Sequence, residues 1–183
     1  SEASKLFCVL SLECIEKAVS QEDGFVRYLF RAPDGVVFEA VRIPLLHKPG
    51  DEKYIVCVSS QSGCAMGCAF CATGALGFIR DLEAWEIVDQ VMKVRADSQH
   101  PVRGVVFMGM GEPMLNYERV MRAAQIMTEP SALAISAKTI TISTAGVVPG
   151  IRRFTAERKP YKLIVSLSAA ASGKRERLIP AER

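Results

Sequence analysis

The sequence predicts an α/β protein in which a small antiparallel β meander leads into a run of parallel β/α units. Two observations carry this reading. Between about residues 12 and 43, short alternating runs are separated by turn signals, the mark of successive hairpins. Beyond residue 50, strands nearly continuous in Val, Ile and Phe alternate with segments of helical periodicity, which points to βαβ units and a buried parallel sheet. The expected division is a meander or extension over residues 1–50 and a β/α unit over residues 51–183.

The elements follow in order. Glu13 to Val19, Phe25 to Phe30 and Val36 to Ile43 read as strands, separated by Gln21-Glu22-Asp23-Gly24 and Pro33-Asp34-Gly35. The stretch LFCVLSLECIEKAV at residues 6–19 also admits a helical turn or two. After Pro49-Gly50, Tyr54 to Val58 is a short apolar strand. Leu82 to Ala96 places Leu82, Trp85, Ile87, Val88, Val91, Met92 and Val94 at mostly helical spacing. Val102 to Met108 is the next strand and Tyr117 to Met127 the next helix. Lys138 to Ser143 is a β-branched strand, Pro149 to Ala156 a short helix and Lys162 to Leu167 a further strand.

A chain of 183 residues forms one domain with a substantial core and is too short for two ordinary ones. With 49% hydrophobic and 23% charged residues it reads as a soluble globular protein. No apolar run approaches a membrane span and the first ten residues lack a signal-peptide pattern, so a cytoplasmic location is expected. Six cysteines in a reducing compartment argue against a disulfide framework and for metal or redox chemistry. Residues 151–183 carry nine Lys or Arg against Glu157, Glu176 and Glu182, so that segment is net basic while residues 1–150 are net acidic. Such a segment can meet a polyanion such as RNA, with Arg152, Arg153, Lys174, Arg175 and Arg177 as phosphate contacts, or can be a solvated rim.

Strand ends of a parallel sheet collect chemistry, and four motifs fall there. The first strand runs into SSQSGCAMGCAFCATGALGF, in which Cys64, Cys68 and Cys71 spell CxxxCxxC among interleaved glycines. Three thiolates offer a metal centre while leaving one coordination position open, a spacing that suits a 4Fe-4S cluster. A closed zinc site recruiting Cys57, or inert core thiols, are the alternatives. Gly109-Met110-Gly111-Glu112-Pro113 follows the second strand, Ser143-Thr144-Ala145-Gly146 the third, and Ser166-Leu167-Ser168 the fourth. Gly109 and Gly111 allow close approach of a ligand, and Glu112 can hold an ammonium, unless Glu112-Pro113 simply opens the next helix. Ser143 and Ser166 can reach a ribose or carboxylate.

Four stretches together resemble the RlmN/Cfr family of RNA methyltransferases within the radical SAM superfamily. They are CVSSQSGCAMGCAFCATGALGFIRDL (57–82), VVFMGMGEPMLNYERV (105–120), ITISTAGVVPGIRRF (140–154) and VSLSAAASGKRERLIP (165–180), with FEAVRIP (38–44) a weaker fifth. The resemblance covers most of residues 25–183. CxxxCxxC marks only the superfamily, whereas its combination with CVSSQ, MGMGEP and STAGVVP marks the family.

The resemblance implies a partial parallel β/α barrel of the radical SAM type, incomplete here at about four units. It implies that Cys64, Cys68 and Cys71 bind three irons of a 4Fe-4S cluster and that S-adenosylmethionine chelates the fourth. Gly111, Glu112, Ser143, Ser166, Leu167 and Ser168 match positions that contact this cofactor, although many members have His where this chain has Ser168. The implied reaction is methylation of C2 of an adenosine in 23S rRNA, possibly also tRNA, through a 5′-deoxyadenosyl radical. Cys57 matches a thiol that resolves a protein–RNA link, and Glu39 a candidate base. On their residues alone, a buried strand thiol and an exposed strand carboxylate are the simpler readings. An electron donor such as a flavodoxin-type reductant is implied as a partner. No cysteine follows Cys71, so the methyl-carrying thiol of the family is absent from these residues, and a truncated chain completed by a further C-terminal segment is expected. A radical SAM enzyme with another substrate, or a non-catalytic metal- or RNA-binding module, are the competing functions.

Overall fold

A computed structural model of the chain describes residues 11–45, 50 and 52–182. Three strands, β1 (Glu13–Val19), β2 (Val26–Arg31) and β3 (Val37–Leu45), form the antiparallel meander. Alternation explains them: Val26, Tyr28 and Phe30 of β2 are buried while Arg27 and Arg31 face out. The helical turns admitted for residues 6–10 lie outside the described residues, and residues 13–19 are strand.

The chain continues through β4 (Lys53–Cys57), β5 (Gln61–Gly63), α1 (Ala72–Ala75), β6 (Phe78–Asp81) and α2 (Ala84–Ala96). It then runs through β7 (Val102–Phe107), α3 (Tyr117–Thr128), β8 (Ile140–Thr144), α4 (Val148–Ala156), β9 (Lys162–Val165) and α5 (Ser172–Leu178). Seven strands make one sheet in the order β1-β2-β3-β4-β7-β8-β9, parallel from β4 onward. The antiparallel pairing of β3 with β4 carries hydrogen bonding across the boundary expected at residue 50. Part of that boundary, residues 46–49 and 51, lies outside the described residues.

The sheet is two-faced. Val56, Val105, Phe107, Ile140 and Ile142 turn toward Ile87, Val91 and Val94 of α2 and Val120 and Ala124 of α3, forming the core with Phe30 and Phe38. Each such side chain contributes about 1.5–3 kcal/mol by leaving water. On the other face the register aligns Cys57, Val106, Thr141 and Lys162 in one row, with Met108, Ser143 and Ile164 beyond it. Met108 and Ile164 are exposed, whereas Cys57 and Thr141 of that row are buried. β9 is the sheet's outer strand, as the fourth parallel unit requires.

Helix α2 starts on a capping box, Glu83 and Glu86 each taking the other's backbone N–H. Buried Glu86 also receives two guanidinium bonds of 2.8 Å from Arg80 of β6, tying the small β5/β6 hairpin to the helix layer. That hairpin brackets the cysteine segment, residues 64–77.

Candidate functional site

The site lies at the C-terminal ends of β4, β7, β8 and β9, where the connections leave the sheet. One cavity of about 330 Å³ is lined by Cys64, Cys68 and Cys71, by Gly111 and Glu112, and by Ser143, Ser166 and Ser168, among others. Thr144 and Ala145 of the third strand-end motif complete much of its wall with Met108 and Ile179, two positions to which the sequence reading gave no role. Leu167 does not line it: its side chain is exposed between the two serines. Ser168 adopts a left-handed backbone (φ 57°) that turns the strand end back into the cavity.

The cysteine segment is held at both ends. Gly63 (φ 71°) lies so close to Gly77 that a Cβ there would strike the Gly77 carbonyl oxygen, while Cys64 N–H donates to that same oxygen at 2.9 Å. Ala69 N–H donates to Leu178 O at 2.9 Å, folding the segment against the end of α5. Burial pushes the Cys64 and Cys68 thiols up, with Cys71 adding to the effect at Cys68. Among the described residues, no three His, Cys, Asp or Glu side chains converge tightly enough to chelate a single metal ion.

Glu112 is 3% exposed, and its carboxylate bridges two strand-end loops. Oε1 accepts from Met114 N–H at 3.0 Å and Oε2 from Ala145 N–H at 2.7 Å. A carboxylate offers about four lone-pair sites, so two remain for a cation. The backbone N–H of Glu112 donates to Gln61 Oε1 at 2.8 Å, and Gln61 Nε2 donates to Asp81 Oδ1 at 2.8 Å. Around this pair, Met110 N–H donates to Ser59 Oγ at 2.9 Å, and Asn116 Nδ2 donates to the carbonyls of Ser60 and Leu82, both at 2.8 Å. Gln61, Gln90 and Asn116 are all buried, so the loops after β4 and β7 form one polar unit with its hydrogen bonds made.

A family model for the radical SAM superfamily matches residues 58–171, the stretch from the end of β4 to the turn before α5 that holds all three cavity thiols, Glu112 and the serines. The chain belongs to the radical SAM superfamily. A probable RNA methyltransferase of Myxococcus xanthus is 54% identical, over 88% of this chain and 44% of its own length. A dual-specificity RNA methyltransferase RlmN of Syntrophobacter fumaroxidans is 45% identical, over 100% of this chain and 54% of its own. The crystal structure of a radical SAM methyltransferase from Sphaerobacter thermophilus superposes with a TM-score of 0.90 at 37% identity, covering 100% of this chain and 53% of that one. The chain thus spans about half the length of the curated relatives it matches.

In this radical SAM chain, two further residues singled out in the sequence lie outside the cavity wall. Cys57 ends β4, 9% exposed, and burial pushes its thiol up to about 11 despite a backbone hydrogen bond at Met108. Glu39 sits on β3 with its carboxylate paired to Arg27 at 3.0 Å, while its carbonyl accepts from Ser59 Oγ at 2.5 Å. Two cations assigned to RNA phosphates are used within the protein. Arg175 donates to the carbonyls of Ser166 at 3.0 Å and of Leu167 and Ala145, closing the strand ends behind the cavity. Arg153 pairs with Glu118 and Glu157, each at 2.6 Å, and stacks over the Tyr117 ring. Arg152, Lys174 and Arg177 are exposed. No helix among the described residues is long and apolar enough to cross a membrane.

Proposed function

We propose that the chain is the cofactor-binding core of an RlmN-type radical SAM RNA methyltransferase that methylates C2 of adenosine in 23S rRNA, and possibly in tRNA. One observation carries the reading: a single cavity gathers three thiols from one loop with a buried carboxylate and the serine-bearing ends of two neighbouring strands. The donor set fits the implied groups. Three thiols from one CxxxCxxC loop that leaves a coordination position open suit a 4Fe-4S cluster, whose thiolates each bind a different iron. Glu112 keeps two lone-pair sites for an ammonium, and Ser143 and Ser166, with hydroxyls 3.5 Å apart, offer polar contacts on the facing wall.

In this reading Cys64, Cys68 and Cys71 hold the cluster, and Gly111, Glu112, Ser143 and the Ser166-Leu167-Ser168 strand end hold S-adenosylmethionine. When bound, the two would supply one-electron cleavage of the sulfonium and a radical able to abstract hydrogen, the chemistry an unreactive aromatic carbon requires. Cys57 keeps its proton at neutral pH and resolves a covalent link only once a base takes that proton. Glu39, held by Arg27 on the adjoining strand, is the candidate base for the C2 proton. The methyl-carrying thiol comes from sequence outside these 183 residues. Exposed Arg152, Lys174 and Arg177 meet RNA phosphate, and a cytoplasmic flavodoxin-type donor supplies electrons.

The test is anaerobic reconstitution with iron and sulfide, followed by reduction in the presence of S-adenosylmethionine. Formation of 5′-deoxyadenosine is expected, and C2-methyladenosine in ribosomal RNA once the full-length protein is used. A protein that retains zinc and yields no 5′-deoxyadenosine sinks the reading; 5′-deoxyadenosine without RNA methylation by the full-length protein returns it to a radical SAM enzyme of another substrate.

A further inference from the structure

We infer that Gln61 is a positioning residue that sets the cysteine loop in register with the cofactor carboxylate, Glu112. The inference rests on the proposed S-adenosylmethionine site. Gln61 opens β5, the strand that enters the cysteine loop, and pairs there with Asp81 of β6, the strand that leaves it. Its amide is divided between the two halves of the site. Oε1 accepts the Glu112 N–H, and Nε2 donates to the Asp81 carboxylate, each at 2.8 Å. Glu112 passes the link to the loop after β8 through its bond to Ala145 N–H. One chain of hydrogen bonds therefore runs from the hairpin that frames the three thiols, through the carboxylate, to the next strand end.

The packing leaves this side chain little freedom. Gln61 is fully buried, and Gly111 lies against its aliphatic stem so closely that a Cβ on Gly111 would fall 2.5 Å from the Gln61 Cβ. An amide is the one common side chain of this length that presents an acceptor to a backbone N–H and a donor to a carboxylate at once. A thiolate-bound cluster and an ammonium held by Glu112 have to meet within about an ångström of the right separation, and such placement is set by partners behind the ligating groups.

The polarity of the bridge supplies its own test. Gln61→Glu keeps the acceptor for Glu112 N–H but sets a second carboxylate against Asp81, breaking the bond and repelling the hairpin. Asp81→Asn alone keeps an acceptor for Gln61 Nε2. In the double variant Gln61→Glu/Asp81→Asn, the new asparagine amide donates to the new glutamate and the bridge re-forms with its direction reversed. Affinity for S-adenosylmethionine is measured anaerobically by calorimetry on reconstituted protein, with iron and sulfide content determined on the same samples. Gln61→Glu is expected to weaken S-adenosylmethionine binding about 10- to 100-fold at unchanged iron content. Asp81→Asn is expected to stay within about threefold of the parent, and the double variant to recover most of the loss. A double variant no better than Gln61→Glu, or a Gln61→Glu protein that binds like the parent, overturns the inference. If Gln61→Glu does not fold, Asp81→Ala, at the partly exposed end of the bridge, carries the test: a loss of affinity at full iron content supports the inference and an unchanged affinity overturns it. Failure of the parent itself to bind S-adenosylmethionine refutes the underlying site instead.

Discussion

Glu112→Gln should destabilise the protein even with no cofactor present, because the carboxylate is a structural bridge as well as a candidate ligand. The replacement is nearly isosteric, so no cavity opens and the whole effect is polar. In the parent both oxygens accept: Oε1 from Met114 N–H at 3.0 Å and Oε2 from Ala145 N–H at 2.7 Å, in a residue 3% exposed. A glutamine has one acceptor oxygen, and whichever way its amide turns, an NH₂ group meets a backbone N–H. One charge-assisted bond worth about 1.5–3 kcal/mol is lost outright, and the other weakens to a neutral bond worth about 1 kcal/mol. The expected cost is about 2–5 kcal/mol, a fall in Tm of roughly 5–20 °C for a domain of this size. Urea unfolding of the metal-free protein, followed by circular dichroism, measures it, with the denaturant slope expected to stay constant. The opposite outcome has a clear meaning. A carboxylate held only for a ligand is a liability in the empty site, and neutralising it is neutral or stabilising. A loss below about 0.5 kcal/mol would refute the bridging role and leave Glu112 as a ligand alone.

Three further outcomes follow from titration. Burial raises the Cys57 thiol to about 11, so at pH 8 its thiolate fraction, and hence its alkylation by iodoacetamide, should be on the order of 100-fold below that of an ordinary thiol. Peptide mass spectrometry should find exposed Cys14 labelled first, and labelling of Cys57 at an equal rate would refute the buried-thiol assignment. A raised folded value contributes stability that is full below pH 9 and lost as pH rises through about 11, so Cys57→Ala should flatten the alkaline limb of the Tm profile. At the acid end, the bonds from Lys159 and Arg153 hold Glu157 down to about 2 from an ordinary 4.5. A lowered folded value contributes stability that is present above pH 4.5 and lost as pH falls toward 2, so Glu157→Gln should make that part of the profile shallower, and parallel profiles would contradict it.

The parts of the fold that periodicity determines were legible in the sequence. β2 and β3 show as alternation, and the helical spacing of Ile87, Val91 and Val94 marks α2. What periodicity could not show is the β5/β6 hairpin. Gln61-Ser62-Gly63 is three residues long and carries no apolar alternation, and these residues are buried only because distant loops close over them. Composition misleads in the same way for Gln61, Gln90 and Asn116, residue types that are usually exposed and here sit inside the polar unit behind the site. Charge counting is incomplete for a related reason: the basic excess after residue 150 includes Arg175, whose guanidinium is turned onto strand-end carbonyls, and Arg153, which is exposed but paired with Glu118 and Glu157.

These misses have one physical origin, and it bears on how the site works. Strand-end motifs declare themselves because each is local, a glycine or a cysteine at fixed spacing after an apolar run. Their mutual placement is not local, and it rests on single atoms, such as the Ala145 N–H on Glu112 or the Asp81 carboxylate on Gln61. The row of Cys57, Val106, Thr141 and Lys162 shows the same division, since register alone puts these four on the sheet face opposite Val56, Val105 and Ile140. This face adjoins the cavity, with Met108 and Ile164 exposed beside the thiols and serines. Replacing Ile164 should therefore alter the cavity wall while leaving the bridges at Glu112 and Gln61 intact, because both lie wholly within residues 59–145.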